Sequence, residues 1–142
     1  ACAPWSEEVE VVVAGAPEWV DALDDPRFDG EPGAAAALAR LARLSAERRL
    51  ALREHDLTAA RADRDAAGSW RPAVFVFAHP LTPVQLDAVA DALALGETGV
   101  SVLALARADA HIEARRVRVE EDTAFLEETE FAPQLLSAPW PG

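Results

Sequence analysis

Valines at positions 9, 11, 12 and 13 form a β-branched run that stops at Ala14-Gly15 and predicts the first strand. Gly15-Ala16-Pro17 turns the chain, and Pro17 suits the first position of a short helix carrying Trp19, Val20 and Leu23. Residues 24–33, DDPRFDGEPG, are acidic and broken by proline and glycine, which predicts a loop. Alanine and leucine then dominate, with charges between them, and predict a helix over 34–54 with Leu38, Leu41, Ser45 and Leu52 near one stripe. Arg43 and Glu47 are four apart and can pair on its outer face. Asp56 before Leu57 reads as a fresh cap, so a second helix is expected over 57–67.

A second strand is expected at 73–78, where AVFVFA is apolar without alternation. Such a run indicates burial on both faces and an interior position in a parallel sheet. Thr82 and Pro83 supply a cap and a first position for a helix with Leu86, Val89, Ala90 and Leu93, closed by residues 96–99. Residues 100–106, VSVLALA, predict a third strand. The pattern changes after that. Ile112 to Glu120 is arginine-rich and strand-like, Glu121-Asp122 is a turn signal, and 123–127 can return antiparallel beside it. Phe131, Pro133, Leu135 and Leu136 suggest one last short packed segment.

This order predicts an α/β fold: three layers, a mostly parallel sheet covered by helices, and a C-terminal antiparallel hairpin. At 142 residues with 51% hydrophobic content, the chain suits a single domain spanning 1–142, with flexible ends at 1–8 and 137–142. It contains no methionine, which suggests a domain cut from a longer protein. No apolar stretch reaches the roughly 18 residues that span a membrane.

Charge narrows the function classes. Acidic residues outnumber basic ones 25 to 13, a formal charge of −12, which disfavours binding to a phosphate backbone. Arginines cluster at 40, 43, 48, 49 and 53 and again at 115, 116 and 118, but glutamates accompany both clusters, so a solvated, self-compensated surface is the plain reading. Cys2 is the sole cysteine, which excludes an intrachain disulfide. All basic residues are arginine, and without a lysine the chain has no P-loop. The turn Gly15-Ala16-Pro17-Glu18 is a poor phosphate cradle, because proline removes an amide and glutamate adds negative charge.

The strand ends offer Glu18, His79, Ser101, Arg107 and Asp109. His79 stands between the apolar run and Pro80 and is read as the rigid exit of a strand with a half-exposed imidazole. Histidines 55, 79 and 111 fall on three separate elements without ligand spacing, so no metal site is expected. Ser101 lies inside a strand without a nucleophile-elbow context; Ser6, Ser45 and Ser69 read as cap, helix surface and loop. The acidic run around residues 120–130 reads as a solvated face. No catalytic residue is assigned. Arg107, Arg115 and Arg116 are the candidates for an anion site.

Several stretches together resemble a known group: APW at 3–5, VEVVVAG at 9–15, ALARLARLSAERRLALRE at 37–54, TAARADRDAAG at 58–68, WRPAVFVFAHPL at 70–81, GVSVLALA at 99–106 and ARRVRVEED at 114–122. They are similar to the central cytoplasmic domain of large actinobacterial proteins that combine membrane segments, a LysM peptidoglycan-binding module and a bacterial transcriptional activator domain. That central domain looks like an eroded FtsK-like ATPase. The resemblance implies an α/β fold in a cytoplasmic, membrane-anchored setting. Ala78-His79-Pro80 stands where the acidic Walker B pair would be, so the chain departs from the ATPase pattern and no functional residue carries over. Two readings follow. One is a non-catalytic interaction or regulatory domain without cofactor, whose partners are proteins, neighbouring domains or a second copy. The other is a degenerate nucleotide- or anion-binding domain without hydrolysis.

Overall fold

The computed structural model describes residues 9–52, 57, 70–105, 116–120, 123–128 and 131–136. The chain divides into two compact units, 1–110 and 111–142.

In the first unit the chain runs β1 (Glu10–Ala14), α1 (Pro17–Leu23), β2 (Phe28–Glu31), α2 (Ala34–Ala51), β3 (Ala73–Phe77), α3 (Pro83–Leu93) and β4 (Val100–Ala104). The four strands form one sheet in the order β2-β1-β3-β4, with every pair parallel. Residues 73–77 therefore take the interior position expected of them.

Side-chain parity along the strands builds the core. Val12 and Ala14 of β1 align with Phe75 and Phe77 of β3, and all four are buried with Ala37 and Leu41 of α2 and Val89 and Ala92 of α3. The α2 and α3 helices pack against each other over this face. The step from β1 to β2 runs opposite to the steps from β2 to β3 and β3 to β4, so the right-handed rule for parallel connections puts α1 on the opposite face, and it packs on β2 and β1. Its Val20 is buried, as is Val13, whose parity on β1 is opposite to that of Val12.

Local signals start α1 and α3 as expected. Thr82 caps α3 in a reciprocal capping box: its hydroxyl accepts from the Gln85 amide at 3.3 Å, and its own amide donates to Gln85 Oε1 at 2.9 Å. Pro83 follows at the first helical position, where its missing amide costs nothing. The α2 helix ends at Ala51, three residues before the expected limit. The helix expected over 57–67 lies outside the described residues except for Leu57, as do the ends 1–8 and 137–142.

Three features of the sheets differ from the sequence reading. Residues 28–31, expected within a loop, form the edge strand β2, paired from Val11↔Phe28 to Ala14↔Glu31. FDGE is a weak strand former, so the pairing comes from β1 and from tertiary contacts. Phe28 meets Trp19 edge-to-face at 6.4 Å, and Arg40 of α2 reaches Glu10 at 2.6 Å, Asp29 at 2.5 Å and Glu31 at 3.1 Å. Secondly, β3 is not equally buried on both faces: Ala73, Phe75 and Phe77 are buried, while Val74 and Val76 are half-buried.

The third correction concerns the C-terminal hairpin. Among the described residues no antiparallel strand joins the parallel sheet; the second unit has its own sheet in the order β5 (Arg116–Glu120), β6 (Thr123–Glu128), β7 (Phe131–Leu136). Both of its pairings are antiparallel, with a register shift between Leu126 and Glu128. An isolated two-stranded hairpin is marginal in water, and a third strand supplies the missing pairing. Pro133 hides that strand in the sequence, yet proline is tolerated on an edge strand such as β7.

Arginines organise the first unit more than a solvated surface would. The Asp25 carboxyl accepts from the Arg27 side chain at 2.5 Å and from its backbone amide at 3.0 Å, closing the turn into β2. These hydrogen bonds, the side-chain one first, hold the Asp25 carboxyl at about 2, below its ordinary 3.8. A lowered folded-state pKa stabilises above the ordinary value, and that contribution is lost as pH falls from 3.8 through about 2. Carbon-detected titration should place the Asp25 midpoint near 2 and return it toward 3.8 in Arg27→Ala. An unmoved midpoint in that variant would show that Arg27 is not the cause.

Candidate functional site

Ligands of open α/β sheets bind where the strand order reverses, beyond the carboxyl ends of the strands. Here β1 is followed by β2 on one side while β3 lies on the other, so that point falls between β1 and β3. A hollow of about 170 Å³ occupies it, lined by Ala14 and Gly15 after β1, Gly33 and Ala34 at the start of α2, and Phe77 and His79 after β3. Pro32 and Pro80 complete the rim.

The backbone brings these groups together. The Gly15 amide donates to the Glu31 carbonyl at 3.1 Å and the Ala78 amide to the Ala14 carbonyl at 3.0 Å, extending the ladder past the strand ends. Gly15 then leaves the strand at φ +87°, in the left-handed region that glycine adopts without penalty. A Cβ at this position would lie 2.8 Å from His79 Cδ2, so the glycine also makes room for the imidazole. Gly15→Ala should therefore cost about 1–3 kcal/mol, combining the φ penalty with the clash. In a His79→Ala background the clash disappears, and the same substitution should cost only about 1 kcal/mol. Equal costs in the two backgrounds, measured by urea denaturation, would show that His79 does not press on Gly15.

His79 is exposed rather than half-exposed. The α2 N-terminus opens on the hollow with an extended Gly33 as its cap, no side-chain cap bond and no acid in its first turn. First-turn amides lack intrahelical acceptors, so this wall of the hollow is polar and its dipole end is positive. The chemistry available is weak anion recognition by backbone amides and one imidazole. The volume falls below the roughly 300–1,000 Å³ of usual small-molecule sites.

The anion-site candidates do not meet there among the described residues. Arg107 and Arg115 lie outside them, and of Arg116 only the backbone is described, as the first residue of β5 in the second unit. His55, His111 and Asp109 also fall outside. Among the described residues, no group of three or more His, Cys, Asp or Glu side chains is placed to hold a metal ion. Ser101 lies on the exposed edge strand β4.

The stripe that the sequence reading drew through Leu41 and Ser45 is buried, and it extends to Arg48, which that reading left with the surface arginines. Ser45 is fully buried rather than on the helix surface, and Arg48 is only 6% exposed. The Arg48 guanidinium donates to the carbonyls of Arg71 at 2.7 Å, Thr98 at 3.2 Å and Gly99 at 3.3 Å, joining the end of α2 to the segments entering β3 and β4. The signal was present in the spacing: 37, 41, 45 and 48 continue one helical face. Arg43 and Glu47 do stand on the outer face, 4.0 Å apart.

The chain matches no protein-family model, no curated protein and no solved structure. Function must therefore be argued from surfaces.

One row across the sheet is informative. Val13, Val76 and Leu103 align on β1, β3 and β4, on the face away from α2 and α3. Val13 is 3% exposed, Val76 is half-buried and Leu103 is 57% exposed. Burial is lost steadily toward β4, where Leu105 is also exposed. No described helix is long and apolar enough to cross a membrane.

Proposed function

We propose that this chain is a non-catalytic interaction or regulatory domain of a multidomain, envelope-associated or signalling protein, placed in the cytoplasm. The observation that carries this reading is the Val13, Val76, Leu103 row. Parallel sheets are normally covered on both faces, and here the β4 side presents leucine to solvent. An apolar strand surface in a chain of charge −12 suits a protein partner better than a nucleic acid. The resemblance to the central domain of LysM and transcriptional-activator proteins fits the same setting.

The second reading, recognition of an anion or nucleotide without hydrolysis, draws on the uncapped α2 N-terminus beside His79. Calorimetric titration with ATP and GTP, with and without magnesium, separates the two readings. Flat titrations at about 1 mM ligand are expected. Saturating heat that falls away in His79→Ala would replace the interaction reading with the nucleotide one.

A further inference from the structure

The two faces of the parallel sheet are not covered alike. On one face α2 and α3 lie over the core, and α2 brings Arg40, Arg43, Arg48 and Arg49 to that side. On the other, among the described residues, only α1 covers the sheet, and it packs on β2 and β1. The β3 and β4 positions of that face stay open. Val74 and Val76 are half-buried, Ser101 is exposed, and Leu103 and Leu105 are 57% and 54% exposed.

The open area has the footprint of one helix. Neighbouring strands lie about 4.8 Å apart and a helix is about 10 Å wide, so the space over two strands takes a single helix beside α1. Strands of five residues, as β3 and β4 are, run about 17 Å, the length of about 11 helical residues.

The wall on the α1 side is acidic. Val20 is buried toward the sheet and Trp19 reaches Phe28 of β2, so at about 100° per residue the flank turned toward β3 carries Asp21, with Glu18 one turn before it. Both acids are exposed, and among the described residues no ion pair engages them. On the opposite face, by contrast, Glu10, Asp29 and Glu31 are held by Arg40.

We infer that the open β3–β4 face takes an amphipathic helix of a partner protein, with basic side chains along the flank next to α1. This inference rests on the interaction reading above and names the chemistry of the partner. Apolar anchors at i, i+3, i+4 and i+7 meet Val76 and Leu103, while Lys or Arg on the flank meets Asp21 and Glu18. The sign of that flank selects the occupant. An acidic helix would meet carboxylates in a chain of charge −12, and a second copy would bring the same charge again.

The probes are two stapled helical peptides of about 14 residues, with leucine at i, i+3, i+4 and i+7 and either lysine or glutamate along one flank. In fluorescence anisotropy with the full chain at about 50 mM salt, the lysine peptide should saturate and bind at least about tenfold more tightly than the glutamate peptide. Leu103→Ala, at an exposed position, should weaken the lysine peptide by roughly fivefold or more. Asp21→Lys should cut the preference between the peptides by roughly threefold or more. A lysine peptide that fails to saturate at about 1 mM overturns the inference. So does binding that ignores Leu103→Ala, or a preference that ignores Asp21→Lys. In a Cys2→Ser background, Leu103→Cys should react with a maleimide at the rate of an exposed thiol. Slow labelling would mean that this chain or a second copy of it already covers the face, and would also overturn the inference. Such failures with flat nucleotide titrations leave the interaction reading standing on another surface, whereas saturating nucleotide heat removes the reading itself.

Discussion

Arg48→Met is expected to destabilise the first unit by about 3–5 kcal/mol, the largest effect of any single polar substitution considered. The arginine is 6% exposed, and its guanidinium serves the carbonyls of Arg71, Thr98 and Gly99. Methionine preserves much of the apolar stem but leaves these acceptors without their donor, and water has little access to replace it. Position 48 also lies in the last turn of α2, where a cation complements the carbonyl end of the helix dipole. Arg48→Lys should recover part of the loss, because an ammonium keeps the charge but cannot reproduce the planar fork. Urea denaturation checks both variants. A loss below about 1 kcal/mol for Arg48→Met would mean that the sheet entry does not depend on this clamp.

Phe75→Ala should cost a comparable amount, about 3–5 kcal/mol, by a different route. Phe75 is fully buried at the centre of β3, aligned with Val12 on one side and Val102 on the other, beneath α2 and α3. Truncation loses the burial of the ring and leaves a void that two strands and two helices cannot easily close. Phe75→Leu should cost markedly less, since most of the volume remains. Leu103→Arg, one strand away but 57% exposed, should stay within about 0.5 kcal/mol of wild-type monomer stability. Thermal melts of the three variants at a concentration where the chain is monomeric distinguish core from surface. A large loss at Leu103 would make it a packing residue and weaken its place in an interface.

These contrasts bear on the functional reading. The carboxyl edge of the sheet, where α/β proteins keep their chemistry, holds a hollow of about 170 Å³ between Gly15 and His79. The β4 side instead offers uncharged backbone and leucine. The two edges of the parallel sheet differ in charge: Asp29 and Glu31 stand on β2, while β4 carries no charged side chain.

Much of the first unit was legible along the chain. The valine run, the AVFVFA stretch and the alanine-leucine helix mark β1, β3 and α2, because apolar continuity and intrinsic propensity act over a few residues. Thr82, Pro83 and Gln85 announce the start of α3 through a cap that closes locally. The absence of lysine and the proline after Gly15 exclude a P-loop from composition alone. Tertiary structure decided the rest. FDGE becomes a strand only because β1 offers it a ladder and Arg40 bridges its acids, and 131–136 becomes a third antiparallel strand only through β6. Arg48 looks like helix surface until the sheet entry closes over it, and Leu103 looks like core until burial fails to reach β4. In each case the deciding energy comes from partners distant in sequence, which a local pattern cannot contain.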